Sequence, residues 1–402
     1  MARVPADKAK KPAKPAKPAG PTLGEKRAEA AATPVAPVVP APVALDAVLG
    51  QQRAIAMLTD ALVSERVHHA WIFQGPAGVG KFTTALAFAA LVLDGTCEKG
   101  LTGGLAPDPE SRVQQMLRAG SHPDLGVVSK EWSKYHPDAE IRAKKQTNIP
   151  VDVVRYFVLD PGRLAPTVAG GGVCGRVFII DGAEFLADQS QNALLKFLEE
   201  PPPGVAIILV TSAPEALLPT IRSRCQRVPF RALPPDDLRR WARSRPPEAP
   251  PIAEWMLPLA LGSPGALAEI AGTSIAGWHD QLEPVFARVL RGSHVVEAGP
   301  RMHELTEAWA KERVEASGAL ASKEAANRAA AEWMFRYTGW RLAEELARAA
   351  GAGDARRAGD AARAIDALRT AESEAEANVN TLFVMDKMVA LIADALAVSP
   401  RG

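Results

Sequence analysis

Short apolar runs alternate with segments of helical periodicity between residues 45 and 230. Three of these runs, 70–74, 176–181 and 205–210, are almost unbroken in hydrophobic side chains, which is typical of strands buried on both faces of a sheet. Strands that alternate with helices form a parallel sheet covered on both sides, and ligands bind beyond the carboxyl ends of its strands. The pattern therefore predicts an α/β domain with its site at that edge of the sheet.

The segments between the strands carry apolar side chains at helical spacing. Residues 46–65 and 188–200 show this spacing, and the second segment is stopped by three consecutive prolines. A further helix is predicted to start at 147–150, where a polar cap and a proline in the first turn precede Asp152 near the positive end of the dipole. Residues 94–123 are rich in glycine, proline and charge, so they predict an insertion loop with one short helix.

Four segments of different composition divide the chain. Residues 1–44 consist almost wholly of alanine, proline, lysine and valine, and they predict a disordered basic tail. A solubilising role for its Lys-Pro-Ala repeat is favoured over a contact with DNA phosphates. Residues 45–230 form the predicted α/β domain, 231–275 a small helical lid, and 281–398 an all-helical domain rich in alanine, leucine, glutamate and arginine.

Composition excludes several classes of protein. The net charge is +1 over 402 residues, so any contact with nucleic acid has to be local. The apolar run 82–93 is too short to cross a bilayer, and no apolar signal-peptide core follows the basic N-terminus. Cys97, Cys174 and Cys225 are odd in number and far apart, which favours a reducing compartment and gives zinc little support. We therefore expect a cytoplasmic protein that contacts no membrane.

A glycine-rich loop follows the first predicted strand and opens a helix. Gly75, Gly80 and Lys81 occupy the fixed positions of the P-loop pattern G-x-x-x-x-G-K-[ST]. Backbone amides of such a loop approach phosphate oxygens closely, and the lysine reaches the outer phosphates. ATP or ADP is therefore the expected ligand. The candidate cofactor-binding residues of the loop are Gly75, Pro76, Ala77, Gly78, Val79, Gly80, Lys81 and Phe82.

Two positions that support catalysis in P-loop enzymes are altered. Phe82 stands where a hydroxyl holds magnesium, and Thr83 and Thr84 come one and two positions late on the helix. Asp181 ends a strand at the position of the metal-associated carboxylate, but Gly182 follows it where vigorous ATPases carry a glutamate. Weakened magnesium binding and a missing base together predict weak or absent hydrolysis.

Other side chains near the strand ends have competing interpretations. Glu184 is either a displaced base or a solvated or capping carboxylate, and the second interpretation is favoured. Thr211, followed by Ser212, either contacts a terminal phosphate or caps the following turn. The run Arg222-Ser-Arg-Cys225 carries arginines that are either merely solvated or project to a neighbouring subunit as an arginine finger.

Four sequence runs in a fixed order carry a resemblance to a known family. They are Val67-His-His-Ala-Trp-Ile-Phe-Gln-Gly-Pro-Ala-Gly-Val-Gly-Lys81, Gly120-Ser-His-Pro-Asp-Leu125, Asn192-Ala-Leu-Leu-Lys-Phe-Leu-Glu-Glu-Pro-Pro-Pro203 and Thr220-Ile-Arg-Ser-Arg-Cys225. Together they resemble AAA+ clamp-loader subunits, and specifically the delta-prime type of bacterial DNA polymerase III. The resemblance covers roughly residues 45–265 and is weaker over the C-terminal helices, where Ala377-Asn-Val-Asn380 resembles the end of the collar domain.

The resemblance implies a place in a ring-like pentamer that opens the sliding clamp and sets it on primed DNA. The implied partners are the gamma/tau and delta subunits, the clamp, and primed DNA contacted through its phosphate backbone. Delta-prime subunits act as a rigid stator that gives an arginine finger to the adjacent ATPase, and Arg224 is the matching residue. Arg155 lies on the helix that corresponds to the surface facing duplex DNA, and an exposed helix arginine is its equal alternative.

The chain also departs from the family pattern. Ala266 stands where relatives often carry an arginine that senses nucleotide, so closure of the lid on ATP is not expected. Relatives often hold zinc with four cysteines in the region where only Cys97 remains, so no zinc is expected and His122 is predicted to be a structural turn residue. The changes at Phe82 and Gly182 fit a stator and count against a motor.

Two other functions stay open. An active motor of the gamma/tau kind would need magnesium held through water or Thr83, with Glu184 as the base. An unrelated P-loop regulatory module is the remaining alternative. No carboxylate pair is placed for two-metal nucleotide transfer, so a polymerase label would describe the assembly and not this chain.

Overall fold

The central element is a five-stranded sheet in which all neighbouring strands are parallel. The computed structural model describes residues 38–64, 66–99, 105–143, 147–168, 171–317, 322–376 and 380–397, so most of the predicted tail lies outside the described residues. The strands are β1 (Ala70–Gln74), β2 (Glu98–Lys99), β3 (Leu105–Ala106), β4 (Leu125–Val128), β5 (Arg176–Asp181), β6 (Val205–Thr211) and β7 (Gln226–Pro229). The sheet order is β4-β5-β6-β1-β7, and β2 and β3 pair in a separate two-stranded antiparallel sheet.

Helices cover both faces of the sheet. The α-helices of this region are α1 (Gln52–Val63), α2 (Lys81–Leu93), α3 (Arg112–Arg118), α4 (Ala139–Arg142), α5 (Val151–Val154), α6 (Asp160–Gly162), α7 (Asp188–Glu199) and α8 (Pro219–Arg224). A π-helical turn, Arg155–Leu159, joins α5 to α6. Single 3-10 segments lie at Leu45–Ala47, Lys130–Tyr135, Ala183–Phe185 and Pro214–Ala216.

Alternate side chains of the strands fill two cores. Trp71 and Phe73 of β1 are fully buried on the face covered by α2, whereas Ile72 between them is buried on the opposite face with the helices of 151–162 and 188–199. This period of two is the geometry of a strand whose two faces are both covered. The three apolar runs that predicted central strands are confirmed, with β6 extending to Thr211.

The C-terminal half is helical, as predicted. Its α-helices are α9 (Pro235–Arg243), α10 (Met256–Leu259), α11 (Pro264–Gly272), α12 (Trp278–Val289), α13 (Ala298–Ser317), α14 (Lys323–Gly351), α15 (Ala355–Glu376) and α16 (Thr381–Leu396), with a 3-10 segment at Ser274–Gly277. Stacked and edge-on rings of Trp255, His279, Tyr337 and Trp340 join the small helical region to the longer helices. The fold class is therefore confirmed: a P-loop α/β sheet, a small helical lid and an all-helical C-terminal region. The exact domain limits stay a prediction.

Two local predictions need correction. The segment 94–123 contains the expected short helix α3 but also the paired strands β2 and β3, which are two residues long and leave no periodic signal. The helix expected at 147–150 begins at Val151, with Pro150 itself as the N-cap and no side-chain cap. The reason is that Ile149 is held in a β-bridge, where its amide donates to the Phe185 carbonyl at 2.7 Å and its carbonyl accepts from the Ala187 amide.

No helix among these described segments is both long enough and apolar enough to cross a bilayer.

Candidate nucleotide site

A cavity of about 700 Å³ lies beyond the carboxyl ends of β1, β5 and β6. This volume is within the range of small-molecule and cofactor sites. Of the predicted site residues, the cavity is lined by Ala77, Gly78, Val79, Gly80, Lys81, Phe82, Asp181 and Thr211. Its apolar end is formed by Val43, Val48, Leu49, Leu233 and Trp241. The structure thus brings together the candidates of the P-loop and of two further strand ends.

The P-loop backbone requires glycine at its first position. Gly75 has φ +151°, and a Cβ there would lie 2.3 Å from the carbonyl oxygen of Phe230. Only a residue without a side chain fits so close to a neighbouring backbone. Gly75 and Pro76 do not line the cavity, but their carbonyl groups face the lysine of the loop.

Lys81 is folded back onto the loop. Its Nζ donates to the carbonyl oxygens of Gly75 at 2.6 Å and Pro76 at 2.5 Å, and to Oγ of Ser212 at 3.1 Å. Burial lowers the pKa of Lys81, while the carboxylates of Glu184 and Asp181 oppose that shift. The ammonium group therefore has its hydrogen-bond partners within the chain.

The hydroxyl that reaches the lysine belongs to Ser212. The sequence offered Thr211, followed by Ser212, either as a phosphate contact or as a cap of the following turn. Thr211 is buried, and its Oγ1 accepts a hydrogen bond from the Ala213 amide at 3.1 Å, which corresponds to the capping alternative. Ser212 comes directly after the end of β6, where the chain turns, so the sequence pair alone could not decide which hydroxyl faces the loop.

The first turn of α2 does not fit magnesium. Phe82 lines the cavity and packs against the core with an apolar ring. The Thr84 hydroxyl is fully buried and donates to the Gly80 carbonyl at 2.8 Å, so it is committed to the helix. Thr83 is exposed at the cavity rim. Phe82 thus leaves the usual metal-ligand position without a hydroxyl.

Carboxylates outnumber ammonium groups along the cavity wall. Asp181, Glu184 and Glu131 line it, against Lys81 and Lys130. Burial raises the pKa of Asp181, and the charge of Glu184 raises it further while Lys81 opposes the shift. Such a wall weakens the attraction for phosphate unless a metal ion or another cation compensates.

Three successive P-loop carbonyl groups are tied to other parts of the chain. Ser263 Oγ donates to the Ala77 carbonyl at 2.9 Å, and the Gly265 amide donates to the Gly78 carbonyl at 2.9 Å. Gln51 Nε2 donates to the Val79 carbonyl at 3.1 Å and also to the Arg231 carbonyl. The start of α11 in the lid is thus bonded directly to the loop.

The lid contact leaves no room for a side chain at Gly265. A Cβ there would lie 2.8 Å from Cα of Gly78, whereas a Cβ on Gly272 in the same helix would meet nothing within 4 Å. We expect Gly265→Ala to lower the free energy of unfolding by about 1–3 kcal/mol through overpacking. Gly272→Ala is the matched control and should leave it unchanged or slightly raised. Urea unfolding of both variants measures the difference, and equal stabilities would contradict this close contact.

Ala266 sits beside this contact and offers only a methyl group. Its amide donates to Ser263 Oγ at 3.1 Å, which is the N-terminal cap of α11. The methyl group brings no charge to the cavity. In the sequence, this is the position where relatives often carry a nucleotide-sensing arginine.

Arg224 lies on the surface at the end of α8, outside the cavity lining. Its Nη1 donates to the Thr220 carbonyl at 3.0 Å, and its Nη2 pairs with Glu199 Oε1 at 2.7 Å. About 36% of the side chain is exposed. The arginine is therefore accessible from outside the chain, and Glu199 of α7 holds its side chain in place.

Arg155 lies apart from the cavity, in the π-helical turn. Its side chain is 60% exposed and its Nη1 is 4.0 Å from Asp152 Oδ1. It borders a depression of about 420 Å³ that also contains Asp138, Glu140 and Asp160. The neighbouring carboxylates weaken its attraction for a phosphate backbone, and the DNA contact stays a prediction.

His122 lies in a turn, and the three cysteines are buried or partly buried. His122 is buried, and its Nδ1 accepts from the Asp124 amide at 3.2 Å within the turn that leads into β4, as predicted for a turn residue. Cys174 and Cys225 are buried and Cys97 is partly buried. Within the described ranges, no three histidine, cysteine or acidic side chains are placed to hold a metal ion.

Residues 50–234 match the family model described as DNA polymerase III, delta subunit. The chain is 30% identical over 244 residues to DNA polymerase III subunit gamma/tau of Mycobacterium tuberculosis, covering 60% of this chain and 38% of the relative. It is 32% identical over 243 residues to subunit delta′ of Pseudomonas aeruginosa, covering 60% of this chain and 65% of the relative. The chain thus spans less than two thirds of the curated relatives that it matches.

A gamma subunit-related protein of DNA polymerase III from Thermotoga maritima is similar to 84% of this chain over 99% of its own length, with a TM-score of 0.40 and 19% identity. Relatives named delta′ and relatives named gamma/tau both occur among the matches, so the similarity does not separate these two kinds of subunit. The match over residues 50–234, together with the similarity to curated delta′ and gamma/tau subunits, supports an AAA+ clamp-loader subunit of DNA polymerase III.

Proposed function

We propose that this chain is a delta-prime-like stator of a cytoplasmic DNA polymerase III clamp loader. In this function it supports the loading of the sliding clamp onto primed DNA without turning over ATP itself. It gives the Arg224 guanidinium to the nucleotide site of a neighbouring ATPase subunit. Its partners would be gamma/tau and delta subunits, the clamp, and primed DNA.

The observation that carries the proposal is the first turn of α2. Phe82 replaces the hydroxyl that holds magnesium, and the nearby Thr84 hydroxyl is already bonded to Gly80. Hydrolysis by P-loop enzymes depends on that metal to neutralise charge that develops between the outer phosphates. Gly182 removes the usual base in the same chain, so two requirements are missing together.

The lid contacts support the same function. In a motor, the lid moves relative to the P-loop as nucleotide binds and leaves. Here Ser263 and Gly265 of the lid are bonded to two P-loop carbonyls, and Ala266 offers no charge to a phosphate. These contacts favour a fixed lid and a subunit of constant shape.

A motor of the gamma/tau kind is the second candidate, because Thr83 and Glu184 both line the cavity. Glu184 Oε1, however, accepts a hydrogen bond from the Ser212 amide at 3.2 Å. One of the two carboxylate oxygens is therefore already engaged and is not free to accept a proton from an attacking water. The unrelated regulatory module has no support from the family match over residues 50–234.

The test is Lys81→Ala in a reconstituted clamp loader. Because this cavity is proposed not to hydrolyse ATP, the turnover of the complex with clamp and primed DNA should equal that of the wild-type complex. Removal of the P-loop lysine from a gamma/tau subunit is the positive control and should abolish turnover at that subunit. A comparable loss with Lys81→Ala, at equal thermal stability of the chain, would instead support the motor.

A further inference from the structure

The hydrogen-bond donors that would hold a terminal phosphate already have partners within the chain. Lys81 Nζ donates to Ser212 Oγ at 3.1 Å, and the Ser212 amide donates to Glu184 Oε1 at 3.2 Å. The ammonium, hydroxyl and amide at this end of the cavity are therefore linked in one network that ends on a carboxylate. A carboxylate and a phosphate accept hydrogen bonds from the same donors.

Glu184 reaches this position through an unusual turn. Gly182, directly after β5, has φ +72°, a conformation that side chains rarely adopt, and the 3-10 segment Ala183–Phe185 follows. Glu184 then lines the cavity. Its second oxygen, Oε2, is buried and finds no hydrogen-bond partner among the residues that the structure describes.

We infer that the Glu184 carboxylate takes the place of a terminal phosphate, so that the cavity binds a nucleoside diphosphate in preference to the triphosphate. This inference rests on the expectation that the cavity retains nucleotide, and it adds a ligand class to the proposed function. Two hydrogen bonds support it: the Ser212 amide donates to Glu184 Oε1, and Lys81 Nζ donates to Ser212 Oγ.

Charge explains the direction of the preference. A triphosphate would place its most highly charged group against Glu184 and Asp181, both of which line the cavity. No hydroxyl at Phe82 brings a magnesium ion to screen this repulsion, and Ala266 brings no arginine. A diphosphate leaves the Glu184–Ser212 hydrogen bond intact and still offers a phosphate to the Lys81 ammonium.

Binding of ADP and of the non-hydrolysable ATP analogue AMP-PNP to the full chain tests the inference by calorimetry, with and without magnesium. We expect ADP to bind at least about tenfold more tightly, with little effect of magnesium. Glu184→Gln keeps the shape and the acceptor for Ser212 but removes the charge, so it should strengthen AMP-PNP binding and leave ADP binding nearly unchanged. Glu215→Gln, at an exposed carboxylate outside the cavity lining, is the control and should keep the wild-type ratio.

Equal affinities for the two nucleotides in the wild-type chain would overturn the inference, as would no binding of either. An ADP-to-AMP-PNP ratio that Glu184→Gln leaves unchanged would also overturn it. None of these results bears on the stator, because turnover of the reconstituted complex with Lys81→Ala reports on that function separately.

Discussion

Replacing Arg224 by alanine is expected to lower ATP turnover at the neighbouring site of a reconstituted clamp loader by roughly 10³-fold, the lower end of what an arginine finger contributes. The guanidinium is at the surface, held between Glu199 and the Thr220 carbonyl, and outside the chain's own cavity. An arginine placed there can stabilise the charge that develops on phosphates of an adjacent subunit. Steady-state and single-turnover ATPase assays of the complex measure the effect.

Two control variants separate this role from folding. Arg224→Lys keeps the charge but not the planar fork of donors, so most of the activity should still be lost. Arg227→Ala removes an exposed arginine of β7 and should keep wild-type turnover. The ion pair with Glu199 is partly exposed and contributes at most about 1 kcal/mol, so Arg224→Ala should fold normally. Full turnover in an assembled Arg224→Ala complex would remove the arginine-finger role.

Asp124→Asn should lower the free energy of unfolding by about 3–5 kcal/mol, because it breaks a buried ion pair from one side. Asp124 is fully buried, and its Oδ1 is 2.5 Å from Arg176 Nη2. The amides of Thr167 and Val168 donate to the same carboxylate at 2.8–2.9 Å. In an asparagine, an NH₂ group replaces one of the two carboxylate oxygens, so a donor faces the backbone amides or the guanidinium. The substitution also leaves Arg176 without a counter-charge. Denaturant unfolding measures the loss.

Asp366→Asn is the matched control, since Asp366 and Arg369 are 4.0 Å apart and both are about three quarters exposed. It should change stability by less than about 1 kcal/mol. Burial by itself would raise the pKa of Asp124, but the Thr167 amide, Arg176 and the Val168 amide hold that pKa below its ordinary value. The stability that the ionised Asp124 contributes is fully present above its pKa in the unfolded chain, about 4. It is lost as the pH falls through the pKa of Asp124 in the folded chain. The difference in free energy of unfolding between wild type and Asp124→Asn should therefore become smaller in acid. Equal stabilities of the two proteins at neutral pH would contradict the buried ion pair.

The sequence predicts the interior of the fold well because the interior depends on hydrophobic pattern. The runs that form β1, β5 and β6 are unbroken because these strands are buried on both faces. The strands at the two edges of the sheet were not predicted. β4 contains Gly126 against the ring of Phe178, and β7 has the polar residues Gln226 and Arg227, so neither gives a long apolar run.

The P-loop residues were predictable from their spacing, but the contacts that fix the loop were not. Gln51 and Ser263 reach the loop from positions 28 and 186 residues away along the chain. Each is a common polar residue in an ordinary context, so only the folded chain shows its partner. The choice between Thr211 and Ser212 likewise depended on the path of the chain where β6 ends, and the sequence pair does not contain that information.

As a stator, this chain would give the Arg224 guanidinium to a neighbouring subunit and hydrolyse no nucleotide in its own cavity. The most direct measurement compares Lys81→Ala and Arg224→Ala in the same reconstituted clamp loader, with ATP turnover as the readout. We expect wild-type turnover for Lys81→Ala and a large loss of turnover for Arg224→Ala. The opposite pattern, a loss with Lys81→Ala and wild-type turnover with Arg224→Ala, would contradict the stator function.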